Sequence, residues 1–139
     1  MKEHSSCPFC EPKQRVLKEN KTAYVLLSDP RKVPGHFLII PKRHVEKPWE
    51  MTPEERADIF ELIGFIQQRI VEHLTPGCDV QQHYRPFLKQ DKLKVDHMHY
   101  HVIPRSFKDD IFNKAQRFEI DLFQDLSQDE HDRIAKILD

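Results

Sequence analysis

The sequence predicts an α+β domain: an antiparallel sheet of about five strands packed with one long helix, plus a short C-terminal helix. Three observations carry that expectation. His97, His99 and His101 alternate with Met98, Tyr100 and Val102, the period-2 pattern of a strand with two unlike faces. Ile59, Leu62, Ile63, Ile66, Ile70 and Leu74 recur at helical spacing and make one apolar stripe. Runs of β-branched and aromatic residues bounded by Pro, Gly and Asn lie on both sides of that stripe.

Taken in order, Arg15 to Ser28 reads as two strands joined at Asn20-Lys21, where Asn tolerates left-handed geometry. Asp29 to Gly35 is a loop by its Pro and Gly content, and His36-Phe37-Leu38-Ile39-Ile40 is a buried strand ended by Pro41. Thr52-Pro53-Glu54-Glu55 starts the long helix: Thr52 caps it, Pro53 is its first residue and Glu55 completes a capping box. The helix ends before Pro76-Gly77. Asp79 to Phe87 is expected to be a strand, followed by a loop at Leu88-Lys89-Gln90-Asp91-Lys92. The histidine strand ends at Pro104. Ser127-Gln128-Asp129-Glu130 is a second capping box, and Ile134, Ile137 and Leu138 give the short helix one apolar face. Phe107, Phe112, Phe118 and Phe123 predict that the segment before it packs down.

With 139 residues and no internal repeat, the chain reads as a single domain over residues 1–139. Apolar residues make up 38% and charged residues 32%, and the net charge is −1, so nothing in the overall charge calls for nucleic acid or a membrane surface. No apolar run is long enough to span a bilayer. The polar start, Met1 to Ser6, lacks the apolar region of a signal peptide, which makes a cytoplasmic protein the expectation. The three cysteines are then expected as thiols or ligands rather than disulfides.

The row of three imidazoles admits three readings from its residues alone. It is a solvated cluster, a metal site, or a nucleophile with helpers. In the third case a neutral imidazole attacks phosphorus, carries the group as a phosphoramidate and hands it to water, while its neighbours bind phosphate or leaving group. Cys7-Pro8-Phe9-Cys10 is a C-x-x-C pair that serves redox chemistry or half a zinc site. The βαβ context of a redox pair is absent from the pattern.

The segment His97-Met98-His99-Tyr100-His101-Val102-Ile103 resembles the signature of the histidine-triad (HIT) family: His, apolar, His, apolar, His, apolar, apolar. Val33-Pro34-Gly35-His36-Phe37-Leu38-Ile39-Ile40-Pro41-Lys42-Arg43-His44 is similar to the family's other hallmark. The resemblance runs from about Cys7 to Arg105. It implies a HIT-like fold and a nucleotidyl hydrolase or transferase acting on a nucleoside phosphate derivative, such as a dinucleoside polyphosphate, a nucleoside phosphoramidate or a nucleotide sugar. In that picture His99 is the nucleophile, His101 hydrogen-bonds phosphate and assists the leaving group, and His36 keeps the nucleophile's tautomer. The cysteine-bearing branch of the family further implies a structural zinc on Cys7, Cys10, His44 and His97. Ser28 stands where the family holds ribose hydroxyls. A homodimer with a larger joint sheet is implied as well, and no magnesium requirement.

One departure stands out. The family's Gly-Gln-Ser or Gly-Gln-Thr segment, which cradles phosphate before the triad, is replaced here by Lys92-Leu93-Lys94, with Arg85 further back. Arg85 and Lys94 are the basic side chains expected to bind nucleotide phosphate instead, with Lys92 beside them. Arg105 is a further phosphate candidate. Two alternatives stay open: a non-catalytic nucleotide-binding protein, and a metallohydrolase in which the triad ligates a catalytic ion.

Overall fold

The computed structural model describes residues 7–91 and 94–139, and Lys92 lies outside them. A first compact unit runs to Phe107 and a second spans Lys108–Asp139. The first holds five strands and one long helix: β1 (Lys18–Glu19), β2 (Ala23–Leu27), β3 (Phe37–Pro41), α1 (Pro53–His73), β4 (Gly77–Gln82) and β5 (Tyr100–Arg105). The strands form one antiparallel sheet in the order β1-β2-β3-β5-β4.

Strand alternation splits this sheet into two apolar faces. Ala23, Val25, Ile39 and Val102 point to α1 and pack with Ile59, Leu62, Ile63, Ile66 and Ile70, the stripe read from the sequence. Tyr24, Leu26, Leu38 and Ile40 point the other way and are covered by Cys7 and Phe9. The C-x-x-C segment therefore acts as a lid on the second face. Tyr24 fastens it by donating its hydroxyl to the Phe9 carbonyl. Because Tyr100 and Val102 face the helix, His101 faces the second side, on the same surface as that lid.

Local chemistry explains how α1 begins. Thr52 Oγ1 accepts the Glu55 amide at 3.1 Å, and Glu55 Oε1 accepts the Thr52 amide at 2.9 Å, a closed capping box. Arg43, at the end of the β3 hallmark, grips the same carboxylate with both arms at 2.8 and 3.1 Å. Its guanidinium holds the Glu55 carboxyl below the usual range. Glu55 thus ties the helix start to the sheet while only 4% exposed. Glu55→Ala removes the side-chain half of the capping box and this pair together. The expected loss is about 2 kcal/mol, a melting temperature lower by roughly 5–8 °C. Glu55→Gln, which keeps the cap, loses about half as much in the same melting experiment.

Two strands differ in their limits from the sequence expectation. β4 ends at Gln82 rather than continuing to Phe87. β5 begins at Tyr100 and runs through Pro104 rather than stopping there. The reason is pairing: β3 accompanies β5 only as far as Val102, so Pro104 sits where β5 is paired on one side alone, opposite Cys78 of β4. A proline without an N–H is tolerated at such a place.

The second unit contains short helical turns at Phe112–Gln116 and Glu119–Leu122, then α2 (Gln128–Ala135) and a last turn at Lys136–Leu138. Ser127 caps α2 by accepting the Glu130 amide at 3.2 Å. Within this unit nothing covers Phe118 and Phe123, which are 70% and 80% exposed, against the expectation that the segment packs down. Turns of four or five residues present no apolar face broad enough to cover them.

Candidate active site and metal cluster

His36 owes its place to Gly35. That glycine has φ +83°, and a Cβ there would lie 2.7 Å from Leu74 Cδ1. A side chain here would strain this backbone conformation and push aside the exposed end of Leu74, so glycine is favoured. The turn delivers His36 to the start of β3, 3% exposed, beside β5.

From there a chain of hydrogen bonds sets the ring tautomers. The Lys32 amide donates to His36 Nδ1 at 3.1 Å, so that nitrogen carries the lone pair and His36 Nε2 carries the proton. His36 Nε2 lies 2.9 Å from His101 Nδ1 and donates to it. His101 Nδ1 is thereby the acceptor, and its Nε2 holds the proton as a donor. His99 is set independently: its Nδ1 donates to the His97 carbonyl at 2.8 Å, which leaves Nε2 as the nitrogen with a free electron pair. The His99 and His101 rings stand 4.9 Å apart, centroid to centroid. One thus offers a nucleophilic nitrogen and the other an N–H.

His36 therefore acts on His101, and the tautomer of His99 is fixed by backbone. That is a different division of labour from the one the resemblance implies.

Burial keeps these rings neutral. It pushes His101 down to about 2, with further repulsion from His99, His36, His83 and Lys32. It pushes His36 to about 4, with Lys32 and His99 adding to the shift. Burial lowers His99 too, against the hydrogen bond to the His97 carbonyl, which raises it. In the unfolded chain these imidazoles titrate near 6.5. Between about 6.5 and about 4 the unfolded state binds protons that the folded state excludes. Stability therefore rises with pH through that window and levels off above it. The melting-temperature advantage of wild type over His36→Gln should shrink as pH falls from 7 to about 4, since only wild type carries this proton uptake. A difference that stays constant with pH would contradict it.

His99 and His101 line a cavity of about 750 Å³, shared with Lys32, His83, Arg85 and Lys94. Of the nucleotide-binding candidates, Arg85 and Lys94 are in its wall. Lys94 is engaged with the Leu88 carbonyl and the Asp96 carboxylate. Ser28 is not among the lining residues, and its hydroxyl donates to the Pro30 carbonyl at 2.8 Å. Arg105 is turned to Asp79 on β4. His83 is a lining residue that sequence reasoning missed. Its signal was a histidine two positions before Arg85, hidden by the expectation that the strand continued.

His97 leaves the row. It is fully buried, and its Nε2 donates to the Pro41 carbonyl at 2.7 Å. Its Nδ1 faces Cys7 Sγ at 3.4 Å and Cys10 Sγ at 3.5 Å. His44 Nδ1 lies 3.2 Å from Cys10 Sγ, and its Nε2 is held by Glu46 Oε2 at 3.0 Å. All four candidate ligand atoms fall within 4.8 Å of one another.

This set fits zinc. A tetrahedral ion with Zn–S near 2.3 Å and Zn–N near 2.0 Å has ligand-to-ligand edges of about 3.5 Å. Each imidazole spends its second nitrogen on an oxygen, the arrangement that orients metal-bound histidines. Burial, followed by Cys7's hydrogen bond and charge and then the charge of Glu11, pushes the Cys10 thiol up to about 12. The Cys10 thiol so raised keeps its proton unless a cation takes its place. The cluster could hold a metal through Cys7, Cys10, His44 and His97, with no position left for substrate. Its effect would be to pin the lid to the segment that leads through His99 into β5.

Comparison with known proteins agrees with this geometry. The HIT domain profile matches residues 10–108. "Protein hit" of Bacillus subtilis (strain 168) is 31% identical over 124 residues, 84% of this chain and 82% of that protein. "Adenosine 5'-monophosphoramidase HNT1" of Candida albicans is 30% identical over 116 residues, 76% of this chain and 74% of that protein. The crystal structure of a HIT family protein from Bacillus anthracis superposes with a TM-score of 0.74 at 24% identity, over 96% of this chain and 95% of that one, which shows a common fold. The imidazoles at 36, 97, 99 and 101 and the family profile lead to one statement: this chain belongs to the HIT domain family.

Proposed function

We propose that this protein is a nucleotidyl hydrolase or transferase acting on a nucleoside phosphate derivative, with His99 as covalent nucleophile. The observation that supports it most is the pair of fixed tautomers: a lone pair on His99 Nε2 beside an N–H on His101 Nε2. Support also comes from the phosphoramidase name of one relative.

In this mechanism His99 Nε2 attacks the α-phosphorus. A P–N bond forms while the bond to the leaving group breaks, and the leaving group departs with its electron pair. Water then attacks phosphorus and the P–N bond breaks with its electron pair returning to His99 Nε2, which frees the nucleotide and restores the imidazole, while the water's proton passes by way of the product phosphate to solvent. His101 donates its Nε2 proton as a hydrogen bond to the phosphoryl or leaving atom in both steps, held in that tautomer by His36. Lys32, Arg85 and Lys94 supply positive charge around the phosphates. Zinc, when bound to Cys7, Cys10, His44 and His97, contributes folding energy. The derived steps use imidazoles and cationic side chains and call for no magnesium.

The metallohydrolase alternative has less support. His97 Nδ1 faces the two cysteines, and among the described residues the one metal-competent group is the Cys/His set. For assembly, β4 is an outer strand of the sheet, and we propose that two protomers join there. No helix among the described residues is long and apolar enough to cross a membrane.

The test is a panel of purified-protein assays on a dinucleoside polyphosphate, a nucleoside phosphoramidate and a nucleotide sugar, with His99→Ala alongside. Turnover of at least one substrate by wild type and by no variant sample is expected. Tight nucleotide binding with no product from any substrate would favour the non-catalytic alternative.

A further inference from the structure

We propose that His83, oriented by Arg85, is a further imidazole of the site that donates a hydrogen bond to an anionic phosphate leaving group, which makes the site selective for phosphoanhydrides over phosphoramidates. This inference rests on the nucleotidyl reading above and deepens it.

Four observations carry it. First, β4 stops at Gln82, where Gln81 lies opposite His101 and Gln82 opposite Tyr100. The next residue is released from the sheet beside the catalytic pair. His83 uses that position: its ring stands 5.1 Å from the His101 ring, centroid to centroid. Second, the peptide is anchored there. Gln82 Nε2 donates to the His83 carbonyl at 2.9 Å, and the Tyr84 ring packs edge-on against Trp49 at 5.2 Å. Third, His83, Arg85, His99 and His101 line one cavity.

The fourth observation is the tautomer. Arg85 Nη2 lies 3.3 Å from His83 Nδ1. A guanidinium has only donors, so His83 Nδ1 accepts, and His83 Nε2 carries the proton. Partial burial and the Arg85 charge lower the His83 pKa, which keeps the ring neutral.

These features define what the pair can and cannot do. A neutral imidazole whose Nδ1 is occupied by a cation is a hydrogen-bond donor. It is a poor source of a proton, since losing Nε2–H would leave an imidazolate. An amine leaving from a phosphoramidate must gain a proton as the P–N bond breaks. A phosphate leaving from an anhydride takes the electron pair onto oxygen and stays an anion, so it needs donors and positive charge instead. His83 Nε2–H and the guanidinium of Arg85 supply both. The chain lacks the Gly-Gln-Ser or Gly-Gln-Thr segment, and His83 and Arg85 line the cavity with side-chain donors.

The test compares two substrates with the same adenylyl half, a diadenosine polyphosphate and an adenosine 5'-phosphoramidate, in wild type, His83→Ala, His83→Gln and Arg85→Gln. Binding of inorganic pyrophosphate to each protein is measured by calorimetry, and melting curves check folding. We expect His83→Ala to lower kcat/KM for the anhydride about 30-fold and for the phosphoramidate less than about 3-fold, with partial rescue by the amide donor in His83→Gln. Arg85→Gln should follow His83→Ala in direction. Pyrophosphate affinity should fall about 10-fold in His83→Ala. Equal losses on both substrates would overturn the proposal, because His83 would then be acting through His101. Unchanged kinetics and unchanged pyrophosphate binding would also overturn it. Failure of the underlying reading looks different: His99→Ala would keep wild-type turnover while pyrophosphate binding still depended on His83.

Discussion

His99→Ala should lower turnover at least about 1,000-fold while the melting temperature stays within a few degrees of wild type. The loss is large because no neighbouring group can replace the missing nitrogen. His101 Nδ1 is occupied by His36 and its Nε2 already bears a proton. His97 faces the cysteines and the Pro41 carbonyl. The fold should hold because the contacts of the His99 ring are few: a hydrogen bond to the His97 carbonyl just before β5 and edge contacts with Phe9 and His101. His99→Gln, close in size, should be as inactive as the alanine variant. Steady-state assay of both variants on the best panel substrate checks this, and retained turnover would remove His99 from its role.

The second large effect lies in the Cys/His cluster. Cys10→Ala should reduce bound zinc to less than about one tenth of wild type and lower stability by about 3 kcal/mol or more, a melting temperature lower by roughly 10 °C. Cys10 is the choice because its sulfur approaches both imidazoles, at 3.2 Å from His44 Nδ1 and 3.5 Å from His97 Nδ1. Without it three ligands remain and the tetrahedron opens. The damage should spread to the second sheet face, because Cys7 and Phe9 cover Leu26, Leu38 and Ile40. Cys78→Ala is the control: that half-buried thiol lies on β4 outside the cluster. Metal analysis and melting curves, with and without chelator, decide the point. Wild type that carries no zinc as purified, or that melts at the same temperature with and without chelator, would contradict it.

Much of this architecture is legible in the chain because it is locally written. The capping box at Thr52 and Glu55 needs only residues three apart, and the structure closes both of its hydrogen bonds. The alternation around His101 needs only a strand, and Tyr100 and Val102 do face the helix. The four-residue Cys/His cluster is legible through resemblance, since positions as distant as Cys7 and His97 are brought together only by the fold. What stays illegible depends on partners far away in sequence. Pro104 looks like a strand end until one sees that β3 stops pairing at Val102. The end of β4 at Gln82 has no local mark, and so His83 passes for a strand residue. The partner of His36 is likewise a matter of register: Leu38 opposite His101 places the His36 ring on the third imidazole of the row.

In the proposed reaction phosphorus is handed from substrate to His99 and then to water. The stereochemical course at that phosphorus tests it most directly. A substrate with a sulfur-substituted α-phosphorus of known configuration would be hydrolysed in ¹⁸O-labelled water, and the product's configuration read. Two successive in-line displacements invert twice, so net retention is expected. Net inversion, the mark of direct attack by water, would contradict it.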